Sequence, residues 1–162
     1  MDIPLNSTRR NGVDFPVPNT NTILNYHTRP FGQTQQKLDG EALDAITYAG
    51  ITELDKMIIQ KGENTTFTST GKGPEAGKFL LAGISIDISK PQEEEATPTF
   101  RQAKNILIGV QLAAHNEGFY EEATIVAREI VEGVEGVIAR VDLVHKLRIA
   151  DGAGIVQPVS VS

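Results

Sequence analysis

Downstream of Gly50 the apolar residues fall into short runs, many of them β-branched and divided by glycine, at 54–60, 65–70, 79–89, 106–114 and 137–149. Runs of this length predict an antiparallel β domain, since each crosses a sheet once and each glycine can begin a reversal. The clearest lies at Ile84, Ile86 and Ile88, which share one side while Ser85, Asp87 and Ser89 take the other. That is the period of a strand with one buried face. Ile106, Ile108, Val110 and Leu112 alternate similarly with Asn105, Gly109 and Gln111, and Lys78-Phe79-Leu80-Leu81 also reads as a strand. Gly133 and Gly136 bound a turn, after which Val137, Ala139, Val141 and Leu143 alternate with Arg140 and Asp142. Residues 119–131 fit both periods, through Phe119, Ala123, Val126, Ala127 and Ile130 or through Ala123, Ile125 and Ala127; we read them as a strand. The expected fold class is mainly β, an antiparallel sandwich or small barrel, with one short helix. That helix is placed at 38–50, where Leu38, Ala42, Leu43, Ile46 and Ala49 recur at helical spacing and Asp39, Glu41 and Asp44 come early, as the helix dipole favours.

The first 37 residues differ from the rest. They hold four of the eight prolines and five asparagines, with no sustained apolar period, and so read as an extended arm. Arg9, Arg10, Arg29 and Lys37 against Asp2 and Asp14 give the arm a balance of +2, which leaves −8 for the rest of a chain whose net charge is −6. A solvated tail is poor in apolar side chains, whereas this one carries many. We therefore read it as a strap that orders on a neighbouring molecule, with a reach of about 120 Å when fully extended. Its candidate partner-binding residues are Phe15, Val17, Ile23, Leu24, Tyr26, Arg29 and Phe31. The domain expectation is an arm at 1–37 and a single β-rich domain at 38–162. The latter ends in an edge or reaching segment at 155–162, because Pro158 does not suit a central strand.

Several function classes recede on composition. An acidic chain is poorly suited to neutralising phosphates or anionic lipid, so neither direct nucleic-acid binding nor membrane binding is expected. With no cysteine there is no disulfide, thiolate metal site or thiol nucleophile. The apolar runs at 79–88 and 106–114 fall short of the ~20 residues of a membrane helix. The opening Met-Asp-Ile-Pro-Leu-Asn lacks a basic start and apolar core, so a cytosolic origin is expected.

Chemical motifs are thin. Gly71-Lys72-Gly73-Pro74-Glu75-Ala76 has the glycine spacing of a dinucleotide loop, but a polar run precedes it and a strand follows, so it is read as a hairpin connection. His115-Asn116-Glu117 resembles half of a zinc-deaminase signature whose cysteine half is absent. His27, His115 and His145 are far apart in sequence, and no metal, cofactor or catalytic residue is assigned. The carboxylate pairs Glu121/Glu122 and Glu132/Glu135 read as solubilising surface charge, and Glu93 to Glu95 as a solvated loop.

Three stretches carry a family resemblance: Asn25-Tyr26-His27-Thr28-Arg29-Pro30 in the arm; Met57-Ile58-Ile59-Gln60 leading through a polar segment to Phe79-Leu80-Leu81-Ala82-Gly83-Ile84-Ser85-Ile86; and the glycine-punctuated 125–139. Together they resemble the capsid-stabilising cement or decoration proteins of tailed phages. The resemblance implies a non-enzymatic virion protein, assembled in the host cytoplasm, whose partners are viral shell subunits and copies of itself, with no cofactor. Two alternatives stand beside it. One is a tail, baseplate or connector subunit, in which the arm would clasp a ring neighbour. The other is a small ligand-binding barrel or enzyme with a carboxylate/His site.

Overall fold

The computed structural model describes residues 11–28, 37–68, 71–91, 96–146, 148–150 and 155–157. Its body is a six-stranded antiparallel sheet with two helices against it. The strands are β1 (Asn11–Pro16), β2 (Thr22–Thr28), β3 (Lys78–Leu81), β4 (Ile84–Ser89), β5 (Ala123–Val131) and β6 (Val134–His145), in the spatial order β1-β2-β5-β6-β4-β3. The helices are α1 (Gly40–Lys61) and α2 (Phe100–Glu117). Two further short strands, β7 (Arg148–Ala150) and β8 (Ile155–Gln157), pair with each other. The antiparallel, sheet-dominated character expected from the alternating runs is present. The sheet is open rather than closed into a barrel, and helices, not a second sheet, lie against it.

Two runs read as strands are helical. Residues 54–60 form the second half of α1, because Leu54 and Met57 continue the buried stripe of Ala42, Leu43, Ile46 and Gly50. Residues 106–114 lie inside α2, whose buried face is Phe100, Ala103, Ile106, Leu107, Gly109, Val110, Ala113 and Ala114. The alternation at 106–112 is incidental; small side chains at Ala103, Gly109 and Ala113 complete a helical stripe that they leave inconspicuous in sequence. Asp39 caps α1 by accepting from the Ala42 N–H at 3.3 Å. Thr99 and Gln102 form a capping box on α2, and Gly118 ends it at φ 72°. Residues 65–70 form no strand among the described positions; Thr66 bridges Thr99, and residues 69–70 lie outside the described residues. The glycine-rich stretch contains a 3₁₀ turn, Gly73–Ala76, leading into β3.

The strand readings at 78–81 and 84–89 hold, that at 119–131 holds for Ala123–Val131 as β5, and β6 covers the expected alternation at 137–143. Ile84, Ile86, Ile88, Ile125, Ala127, Val141 and Leu143 are all buried. The arm reading fails for residues 11–28. They form the hairpin β1–β2, which pairs with β5 from Thr22↔Glu129 to Thr28↔Ala123. Pro16 is tolerated because β1 is an edge strand, and Asn19 at φ 64° helps turn the chain between the two prolines and β2. Residues 1–10 and 29–36, the remainder of the expected arm apart from Lys37, lie outside the described residues, as do Glu93 to Glu95 and Pro158.

Candidate interaction surface

Of the residues expected to meet a partner, four belong to this molecule's own core: Phe15, Val17, Leu24 and Tyr26 are buried. Phe119, which follows α2, packs edge-on against Tyr26 with ring centroids 4.8 Å apart and against Phe15 at 6.4 Å. Ile23 is half-buried, while Arg29 and Phe31 lie outside the described residues. The apolar content that marked the segment as a strap is what lets it complete the sheet.

The sheet face away from the helices is polar and internally paired. Across it run His27, Thr124, Asp142, Asp87 and Lys78 in directly opposed positions. Asp142 accepts from Thr124 Oγ1 at 3.2 Å and lies 3.5 Å from Arg140, and Asp87 meets Lys78 at 3.3 Å. Asn25 Nδ2 donates to Asp14 at 2.6 Å in the neighbouring row. Opposed carboxylates on one face repel, and each here has its own cation, so this face faces water without needing a cover.

The helical layer is similarly self-contained. Asp44 accepts from Gln111 Nε2 at 3.0 Å and lies 3.0 Å from His115 Nε2, while Lys104 meets Asp55 at 2.6 Å. His27, His115 and His145 sit on β2, α2 and β6 respectively, and among the described residues no three His, Asp or Glu side chains gather in a metal-binding group. A shallow groove of about 360 Å³ lies between Phe67, Lys78, Ile88 and Thr97. No described helix is long and apolar enough to cross a membrane.

Two of the four paired glutamates are not surface charge: Glu121 and Glu122 are buried. Glu122 Oε2 accepts from the His145 N–H at 2.7 Å, tying the entry of β5 to the end of β6. Glu132 and Glu135 are exposed, in the hairpin that joins β5 to β6. Among the described residues, this hairpin is where exposed apolar side chains collect. Of seven exposed large hydrophobic residues among those described, four are Ile130, Val131, Val134 and Val137; Tyr48 and Ile59 are spread along α1, and Val13 is on β1. The hairpin projects because β2 pairs with β5 only as far as Glu129 and β4 pairs with β6 only from Arg140 onward. It closes through Glu132 at φ 53° and Gly133 at φ 79°, the two left-handed residues of a type I′ turn.

The stem is anchored from below. Glu129, nearly buried, accepts from Arg101 Nη1 and Gln102 Nε2, both at 3.1 Å, and thereby binds β5 to the positive end of α2. On the opposite flank, Asn21 Nδ2 donates to the Ile130 carbonyl at 2.6 Å and the Ile130 N–H donates back to the Asn21 carbonyl at 2.9 Å. Glu129→Ala removes two charge-assisted hydrogen bonds but leaves a half-exposed Arg101 that water can reach. The expected loss is about 1–3 kcal/mol in urea denaturation, with Glu129→Gln losing less.

Sequence reading located the turn at Gly133 but not its apolar surround; the signal was Ile130-Val131-Glu132-Gly133-Val134, two apolar flanks around a two-residue loop. The chain matches no protein-family model, no curated protein and no solved structure.

Proposed function

We propose that this protein is a non-enzymatic structural subunit of a tailed-phage virion, a decoration protein that sits on the shell, assembled in the host cytoplasm and acting without cofactor, nucleic acid or membrane. The observation that supports the reading is the concentration of exposed apolar side chains on one anchored, projecting hairpin. Exposed apolar side chains gathered on one projecting hairpin are suited to binding protein. Attachment in this reading is made by the folded body through residues 130–137, with shell subunits or copies of the chain as partners. A second reading, a tail, baseplate or connector subunit, draws on the helical layer, which departs from the sandwich or small barrel expected from the alternating runs.

The test is addition of the purified full chain to particles that lack it. Co-sedimentation with empty shells and a higher temperature of genome release are expected, with immunolabel over the capsid. Label confined to the tail or neck would select the second reading. Absence of the protein from purified virions would overturn both.

A further inference from the structure

No further inference is drawn: the strongest candidate, the exposed apolar side chains of the β5–β6 hairpin, carries nothing beyond the surface already described, because Ile130 and Val137 lie on one of its faces and Val131 and Val134 on the other, Arg128 and Arg140 are already paired within the chain, and nothing in the structure shows what covers it.

Discussion

Replacing Leu24 and Tyr26 together by alanine should lower the stability of the isolated chain by about 5 kcal/mol or more, enough to unfold a domain of ordinary stability. Leu24 is fully buried and Tyr26 is 1% exposed, and both lie on the side of β2 that faces α2 and Phe119. Single large-to-small changes at such sites cost about 2–5 kcal/mol. Because the two side chains are neighbours on one strand, their effects need not add. The measurement is denaturant unfolding followed by circular dichroism, with the assembly state held fixed. A loss within about 0.5 kcal/mol, the usual range for exposed positions, would show that residues 11–28 are an appendage after all.

Gly109→Val should cost about 3 kcal/mol. A Cβ at Gly109 would stand 2.5 Å from Val17 Cγ2 and 2.7 Å from Leu24 Cδ1, closer than carbon atoms approach. Leu24 has rotamers with which to yield, but Val17 is β-branched and buried at the end of the β1 hairpin arm, so α2 must lift from the sheet or the hairpin must shift. Even Gly109→Ala, which gains about 1 kcal/mol of helix propensity, should be destabilising on balance. Gly136→Ala is the matched control, for nothing lies within 4 Å of its added carbon. Thermal midpoints of the three variants give the order directly: valine lowest, alanine next, and Gly136→Ala near wild type.

These two positions also show which parts of the fold can be read from residues alone. Ile84, Ile86 and Ile88 advertise a strand because large side chains fill the inward positions and polar ones the outward. The same rule misplaces α2. There, Ala103, Gly109, Ala113 and Ala114 are buried because the helix lies close to its neighbours, and small residues carry almost no periodic signal. The capping box Thr99-x-x-Gln102 marks the helix start, whereas our reading of this stretch rests only on an alternation of four aliphatic residues. In α1 the buried Gly50, where a Cβ would meet Leu107 Cδ1 at 2.6 Å, looked like a terminator and is instead a point of close helix contact.

The first strands were misassigned for another reason. Prolines at 16 and 18 argue against a central strand, and β1 is an edge, where a missing N–H is harmless. Nothing local announces that the partner of β2 is β5. For the interaction surface, composition supplied only an expectation of the class of partner. It was silent about location, because four scattered aliphatic residues gather on one exposed hairpin only when β5 and β6 outrun their neighbours.

The pairing of β2 with β5 has a consequence for the life of the nascent chain. Asn21 and Ile130 exchange hydrogen bonds across 109 positions of sequence. Since synthesis proceeds at about 5–20 residues per second, the β1–β2 hairpin leaves the ribosome several seconds before β5, the strand it pairs with, exists. During that interval Phe15, Leu24 and Tyr26 have no core to enter. The helices can form early from local contacts, but the sheet cannot close in order from the first strand, and its centre, β5 and β6, is made last. The complete sheet therefore has to await a late, long-range docking step, and the early hairpin is the segment left exposed until then.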